Sequence, residues 1–226
     1  MRILYDNALL NRDVVLDMKL HESTLCDNGK IPDMSKYHNN ATITGAVWTP
    51  PYGYTLDGVD DLLSAAQQVS IATAATLILC FKPTNLVANK GVMGWSGGAG
   101  AGWNSVKFGV VADSNSLVFN VSDGVGSNQI GLATSQIYQI IYASIDGSNL
   151  KFSINNGAIV SETQTRTPDI SGRDLEWGRA ILSGVSQFES GVFVESQVLV
   201  GKALTQAERI QHYLAAKRRM PWANLP

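Results

Sequence analysis

The stretch DGSNLKFSINNGAIV, residues 146–160, carries the pattern that decides the fold. Leu150, Phe152 and Ile154 alternate with polar residues, and successive side chains of a strand point to opposite faces, so the pattern predicts a half-buried β-strand. The Asn-Asn-Gly run at 155–157 then supplies residues that tolerate a positive φ, as a tight hairpin requires. The stretch therefore predicts a strand that enters a hairpin.

Short strand-like segments of the same kind recur along the chain, separated by glycine- and asparagine-containing turns. They are VKFGVVA, SLVFNVS, QIYQIIYASI and VFVESQVLV. The segment TLILCFK, residues 76–82, is apolar on both faces, which is typical of a strand buried on both sides. Regular short strands with turns between them predict an all-β, two-sheet antiparallel sandwich rather than alternating strands and helices.

One helix is predicted near the end, in LTQAERIQHYLAAKRR, residues 204–219. Thr205 and Glu208 have capping-box spacing, and Pro221 ends the segment. Its predicted apolar face consists of Ala207, Ile210, Tyr213 and Leu214.

Composition excludes several classes of function. The 226 residues carry a net charge of -2, so there is no basic excess that would favour nucleic acid as a partner. The chain has no apolar run of membrane-spanning length, and Asp6 and Asn7 interrupt the N-terminal apolar segment, so neither membrane insertion nor a secretory signal is predicted. Cys26 and Cys80 are predicted to be free thiols, with a single bridge as the alternative.

Four stretches, in chain order, resemble the laminin G-like jelly-roll domains of the concanavalin A-like lectin/glucanase superfamily. They are DMSKYHNNA (33–41), LDGVDDL (56–62), IYQIIYASIDGSNLKFSINNG (137–157) and FESGVFVESQVLVGKALTQAERI (188–210). Lys36 and Ala41 replace the family's usual glycines, and Tyr138 stands where tryptophan is usual. The resemblance implies a jelly-roll domain over 14–219, with an N-terminal arm at 1–13 and a tail at 220–226. It does not identify a ligand, because such folds host lectins, hydrolases, adhesion modules and structural parts.

Acidic residues interrupt the apolar stretch YTLDGVDDLL, residues 54–63. Asp57-Gly58 is expected to end a strand, and Asp60 and Asp61 to accept hydrogen bonds from the backbone of a turn. The alternative is a calcium site, because Ca²⁺ takes carboxylate, amide and carbonyl oxygens and two further oxygen-bearing residues precede the stretch. The residues of such a site would be Asp33, Asn39, Asp57, Asp60 and Asp61.

The glycine-rich segment GWSGGAGAGWNS, residues 94–105, is the other candidate site. An aromatic face can stack on the C–H groups of a sugar while amides and hydroxyls bind its hydroxyl groups. A glycan site here would use Trp95, Trp103, Asn104 and Ser105. In the alternatives, both tryptophans fold back on the core, or the loop contacts a neighbouring subunit.

Catalysis is not predicted. Glucanases of the superfamily carry a Glu-x-Asp-x-x-Glu strand, and its nearest counterpart here is Asp174 and Glu176, with Arg179 in the third position. Glu189 and Glu195 are an even number of residues apart, but a glycine lies between them. The histidines, His21, His38 and His212, are isolated.

These patterns predict a non-catalytic binding or adhesion protein that contacts glycans or neighbouring proteins and requires no cofactor. The expected setting is the surface of a virus particle, as a decoration or tail-associated component tethered by residues 1–13, with an extracellular location as the alternative. A glycoside hydrolase or lyase of the same fold is one alternative function. A purely structural decoration protein, held as a homo-oligomer by symmetric contacts, is the other.

Overall fold

The computed structural model describes residues 13–22, 29–66, 70–71, 73–97 and 101–226. The predicted tether at 1–13, apart from its last residue, and the predicted free thiol of Cys26 lie outside the described residues. The described strands form two antiparallel sheets, with one α-helix near the C-terminus, which confirms the predicted two-sheet jelly-roll sandwich.

In chain order the strands are β1 (Val14–Met18), β2 (Lys30–Ile31), β3 (Ala41–Thr44), β4 (Val47–Thr49), β5 (Gly53–Asp57), β6 (Leu62–Ala66), β7 (Ala74–Pro83), β8 (Lys90–Ser96), β9 (Val106–Asp113), β10 (Ser116–Ser122), β11 (Ser127–Ala133), β12 (Gln139–Asp146), β13 (Asn149–Ile154), β14 (Val160–Thr163), β15 (Asp174–Trp177), β16 (Arg179–Leu182), β17 (Val185–Phe188) and β18 (Ser190–Val200). The helix α1 spans Gln206–Arg219, and 3₁₀ turns span Gly102–Ser105 and Pro221–Ala223.

Sheet I has the order β14-β13-β12-β7-β18-β5-β4. Its longest strand, β18, pairs through residues 190–193 with β5 and through residues 196–199 with β1, so two shorter strands share one of its edges. Sheet II has the order β11-β10-β9-β8-β15-β6-β3-β2. The hairpin β16–β17 joins it through a single parallel pair, Phe188 with Gly91.

The inner faces of the two sheets share one hydrophobic core. Leu77 and Phe81 of β7 and Phe152 of β13 are buried in it, and Ile154 packs against it partly buried. The alternating pattern that predicted a half-buried β13 is therefore confirmed. Asn155 follows β13 with a φ of 56°, as the predicted turn requires.

The outer face of sheet I is covered by α1, which explains why β7 is apolar on both faces. Ile78 and Cys80 point away from the main core and join a second cluster with Tyr213, Ala216 and Met220. This cluster continues through the C-terminal segment, where Ala223 and Leu225 are also buried. The strand is thus buried by a sheet on one side and by a helix on the other.

The helix begins with the predicted capping box: the Thr205 side chain accepts from the Glu208 backbone N–H, and the Glu208 side chain accepts from the Thr205 N–H. Its predicted apolar face is wrong at Ala207 and Leu214, which are both exposed, and Ile210 is only partly buried. The buried face instead holds Arg209, His212, Tyr213 and Ala216. Arg209 and His212 can be buried because strand side chains below them supply hydrogen-bond partners, including the Tyr142 hydroxyl 3.0 Å from His212 Nδ1.

None of the helices in the described part of the chain is both long and apolar enough to cross a membrane.

Candidate functional site

The described part of the glycine-rich loop, residues 101–105, folds onto the outer face of sheet II. Trp103 lies partly buried against a small apolar cluster formed by Val106 and Val111 of β9 with Ala180 and Leu182 of β16. The hairpin β16–β17 and this loop therefore cover the same part of the sheet, and the Trp103 indole retains an exposed portion beside them.

Trp95 does not lie beside Trp103 at the surface. It is fully buried in the main core, with its ring centroid 5.9 Å from that of Phe108. Strand alternation is the reason: Trp95 is on β8, and its face of the strand points between the two sheets. A sugar could not stack on this indole, so the predicted pair of aromatic ligands is reduced to Trp103.

Asn104 and Ser105 use polar atoms to hold the loop in place. The Asn104 side-chain amide donates to the Val125 carbonyl at 3.0 Å, and the Asn104 carbonyl accepts from the Ser122 hydroxyl at 2.8 Å. Ser105 is buried, and its hydroxyl accepts from the Ser183 N–H at 3.3 Å. Of the predicted ligand residues, Trp103 and Asn104 therefore keep surface that a ligand could reach.

The acidic residues after β5 form a cluster, the acidic bend, consisting of Asp57, Asp60 and Asp61. One carboxylate oxygen of each lies within 4.8 Å of the others. An Asp61 oxygen accepts from the Asp57 N–H at 2.9 Å, and an Asp57 oxygen accepts from the Val59 N–H at 2.8 Å. The predicted backbone bond is found at Asp61, and Asp57 accepts a second one, whereas within the described residues no such bond is seen at Asp60. The oxygens that remain could also contribute to a cation site.

Asp33 and Asn39 do not join this cluster. They lie before β3, whose first residue pairs with Ala65, whereas the acidic bend adjoins the far end of the strand, where Thr44 pairs with Leu62. The four-residue strand separates the two places by roughly 10 Å. Asp33 is buried, and its oxygens accept from three backbone N–H groups and from the Ser35 hydroxyl. The predicted five-residue calcium set is therefore corrected to the three residues of the acidic bend.

Asp174 and Glu176 share the outer face of sheet II, as their spacing predicts. Asp174 is exposed, while Glu176 is buried and forms an ion pair with Arg179. The Arg179 Nε donates to one Glu176 oxygen at 2.9 Å and its Nη2 donates to the other. Because both oxygens are engaged, Glu176 offers no unpaired oxygen to a substrate.

Glu189 directly precedes β18, and Glu195 lies on that strand. A β-bulge between Phe193 and Glu195 inserts one residue and reverses the alternation, so the even spacing does not place the two carboxylates on one face. Glu195 points out, towards α1, where it pairs with Arg219. Glu189 is almost fully buried, and its oxygens have no hydrogen-bond partner of good geometry. Both side chains are therefore buried away from a substrate.

Three aromatic rings meet on the outer face of sheet I, at the margin of α1. We call this cluster, which consists of Tyr52, Tyr138 and Trp222, the aromatic platform. The Tyr52 and Tyr138 rings are 6.2 Å apart and inclined by 23°, and Trp222 stands nearly perpendicular to both, at 5.3 and 5.7 Å. All three keep exposed surface, and Tyr52 is 38% exposed.

The turn before β5 brings Tyr52 to the platform. Gly53 begins β5 and lies tightly against the neighbouring strand β18, where a Cβ at residue 53 would overlap the Phe193 carbonyl oxygen. Only glycine permits this approach, and its φ of 126° is also one that other residues rarely adopt. Gly53 therefore fixes the end of the turn that carries Tyr52, whose ring lies beside Tyr138, just before β12, and Trp222, in the turn after α1.

Sequence patterns missed this platform because its members are far apart in the chain and none lies in a recognisable motif. In the sequence, Tyr138 stands out only as a substitute for a tryptophan, and Trp222 only as part of the tail. The one local signal is an aromatic residue directly after a helix stop, in the run MPW at 220–222.

Solved structures similar to this chain are binding domains of botulinum neurotoxins. The binding domain of botulinum neurotoxin DC, in complex with rat synaptotagmin II, matches 91% of this chain with a TM-score of 0.67 and 10% identity. A structure of botulinum neurotoxin type C, whose cell entry depends on two ganglioside molecules, matches 92% with a TM-score of 0.69 and 13% identity. The serotype D ligand-binding domain in complex with N-acetylneuraminic acid matches 92% with a TM-score of 0.67 and 9% identity.

The chain spans about half the length of these neighbours, 52% of each. At such low identity the likeness establishes the fold alone. Neither a protein-family model nor a curated protein sequence matches the chain. The chain is therefore similar, as a β-sandwich of the jelly-roll type, to one half of receptor-binding domains.

Proposed function

We propose that the protein is a non-catalytic binding module that recognises glycans or protein surfaces. The observation that carries the proposal is a structural match: more than nine-tenths of the chain superposes on about half of each neurotoxin structure. As whole proteins, these neighbours interact with gangliosides, N-acetylneuraminic acid or synaptotagmin. The engaged carboxylates support it as well, because Glu176 and Glu195 are each held in an ion pair with arginine. A binding role needs exposed contact groups, and the chain offers partly exposed aromatic rings on both sheets.

Within the jelly-roll class, the proposed family remains the laminin G-like group of the concanavalin A-like superfamily. Its support is the order of the four resembling stretches, and the end of β5 and the acidic bend lie in the second of them. Such domains present ligand sites on loops at the margins of the sheets, so variation in loops would set the ligand.

The first proposed contact surface is the loop around Trp103 and Asn104. Trp103 is held by its apolar neighbours and Asn104 by its bond to Val125, so both are positioned before a ligand arrives. Pre-ordered aromatic and amide groups lose little conformational entropy on binding. Val125, which is 83% exposed, extends the same surface.

A glycan array probed with the purified protein tests this proposal. Replacement of Trp103 by Ala should weaken binding about tenfold, because one stacking face is lost. Trp48→Ala is the matched control, since Trp48 is also partly buried but packs against the main core on sheet I. Thermal melting of both variants checks that they remain folded. Binding that survives Trp103→Ala would exclude this loop, and the absence of any glycan or protein ligand would favour the purely structural alternative.

The proposed setting is the surface of a virus particle, as a decoration or tail-associated component. Its support is the jelly-roll fold, which such components share with other binding modules. Co-sedimentation of the protein with intact particles, followed by surface labelling with an antibody, tests it. Recovery of the protein free of particles would contradict it.

The hydrolase alternative predicts that the protein releases reducing ends from a polysaccharide and that the Glu176→Gln variant no longer does so.

A further inference from the structure

We propose that the aromatic platform, together with Lys82, is a binding site for a sugar that carries a carboxylate. The inference rests on the proposed recognition of glycans and names a second surface and a ligand class for it. The platform lies on the outer face of sheet I, whereas the loop of Trp103 covers sheet II. The two surfaces can therefore be tested independently.

The rings of the platform are held in place by the structure below them. Trp222 follows the buried Met220, which ends α1 and lies in the cluster between the helix and sheet I. Tyr138 directly precedes β12 and is partly buried. Burial is the main reason why the pKa of its hydroxyl is raised to about 12. Gly53 fixes the turn that carries Tyr52. A ligand would thus meet rings that are already arranged, which reduces the entropy lost on binding.

Lys82 supplies the charge. Its Nζ lies 5.2 Å from the Tyr138 ring centroid, and its side chain is partly buried on β7. Within the described residues Lys82 forms no hydrogen bond or ion pair, whereas nearby Lys19 and Arg219 are both within reach of Glu195. A cation beside the rings would repel an ammonium ligand, so the platform does not suit a cationic group. A carboxylate would instead gain an ion pair.

The surroundings favour a sugar over an acidic peptide. An extended peptide would gain most from an unpaired strand edge. Lys82 lies on β7 and Tyr138 directly precedes β12, and both are inner strands of sheet I, paired on each side. At Lys82 and Tyr138 the platform therefore offers flat aromatic faces and a charge but no free backbone edge, and the edge strand β4 ends three residues before Tyr52. A pyranose ring, with C–H groups on its faces and a carboxylate at its margin, fits these groups.

The test measures binding of glucuronic acid and galacturonic acid, with glucose and galactose as neutral counterparts, by titration of the full-length protein followed by NMR. We expect the two acids to bind about tenfold more tightly than the neutral sugars, as a charge-assisted contact implies. Lys82→Gln should abolish this preference, and Tyr52→Ala should weaken binding of acids and neutral sugars alike, by about fivefold.

Lys36 and Tyr37 provide a matched control. Lys36 Nζ lies 5.1 Å from the Tyr37 ring centroid, and Tyr37 is 49% exposed, but no second ring joins this pair. Lys36→Gln and Tyr37→Ala should therefore leave binding unchanged. Thermal melting of each variant verifies the fold.

Four outcomes would overturn the inference. Equal binding of acids and neutral sugars would show that the site does not recognise the carboxylate. Binding that survives in Lys82→Gln and Tyr52→Ala but is lost in Trp103→Ala would show that the platform is not the binding surface, and would leave the proposed function intact. Binding of no sugar at all, on the array or in titration, would overturn this inference and the glycan arm of the proposed function, and would leave protein surfaces as the ligand class. Tight binding of a poly-glutamate peptide with no sugar binding would assign the platform to a protein partner instead.

Discussion

The Arg219 guanidinium, in the last turn of α1, donates to both carboxylate oxygens of Glu195 on β18, at 2.7 and 3.0 Å. Glu195 is 2% exposed, and Lys19 lies 3.7 Å from one of its oxygens. The bulge in β18 turns this carboxylate towards the helix, so the ion pair joins the helix to the sheet beside the platform. Removal of the arginine would leave a buried charge without its strongest partner.

We therefore expect Arg219→Ala to lower the free energy of unfolding by about 3–5 kcal/mol, the cost of breaking a buried pair. Urea unfolding at neutral pH measures the change. Arg218→Ala is the control, because Arg218 is adjacent and exposed, and it should change stability by less than about 0.5 kcal/mol. Similar losses in the two variants would show that the ion pair is not responsible.

The same carboxylate predicts a loss of stability in acid. Burial alone would raise the Glu195 pKa, but Lys19 and Arg219 outweigh burial and lower it to about 2. Between about pH 4.5 and pH 2 the folded state keeps the group ionised while the unfolded chain binds a proton. The contribution of Glu195 to the free energy of unfolding is therefore complete above about pH 4.5 and disappears as the pH falls towards 2. Unfolding followed between pH 6 and pH 2 should show a shallower decline in Glu195→Gln than in the parent protein.

Glu189 predicts the opposite dependence. Burial raises its pKa to about 8, although Lys90 and the Ser190 N–H lower it in part. The folded state then retains a proton that the unfolded chain releases, so stability falls as the pH rises from about 4.5 to about 8. Glu189→Gln should remove this fall and make the protein more stable above pH 8. The exposed Glu162 provides the control, and an effect of Glu162→Gln as large as that of Glu189→Gln would contradict the assignment.

Replacement of Gly53 by Ala should both destabilise the protein and disturb the platform. The added methyl group would overlap the Phe193 carbonyl oxygen, so either the turn or β18 must move. We expect a loss of more than about 2 kcal/mol, together with altered Tyr52 resonances in NMR spectra. Gly147→Ala is the control, because Gly147 also has a positive φ, 58°, but has open space around it, and it should cost only about 1 kcal/mol.

For the acidic bend we expect structure to dominate. Asp61→Ala should cost about 1–2 kcal/mol, because it leaves the Asp57 N–H without its acceptor. Asp60 is exposed, and Asp60→Ala should change stability little in the presence of a chelator. Thermal melting with Ca²⁺ and with a chelator separates a structural turn from a calcium site. A calcium site would raise the melting midpoint in Ca²⁺, and Asp60→Ala would remove that increase.

Local patterns predicted the elements of this fold because they need only neighbouring residues. Alternation at Leu150, Phe152 and Ile154 identified a strand, and the spacing of Thr205 and Glu208 identified a helix start, since each pattern reflects which face of one element is buried. The helix face was predicted less well at Leu214. Buried Arg209 and His212 look polar in sequence, and only their partners on sheet I make their burial favourable.

The composition of the candidate sites was harder to predict than the elements of the fold, because it depends on which distant residues meet in the tertiary structure. Sequence proximity grouped Asp33 with the acidic bend, but strand register placed the two at opposite ends of β3. Sequence proximity also paired Trp103 with Trp95, but the strand alternation of β8 buries Trp95 in the core, while Trp103 is only partly buried.

By itself, the sequence determined the class of the fold: short alternating strands, turn residues between them and one capped helix can bury their apolar faces only as layered sheets with a helix against one of them. Tertiary structure alone decided which distant residues meet. The bulge in β18 shifts the alternation by one residue, and the close approach of Gly53 to β18 fixes a turn; neither leaves a periodic signal in the chain. The bulge turns Glu195 towards Arg219, and the turn holds Tyr52 beside Tyr138 and Trp222.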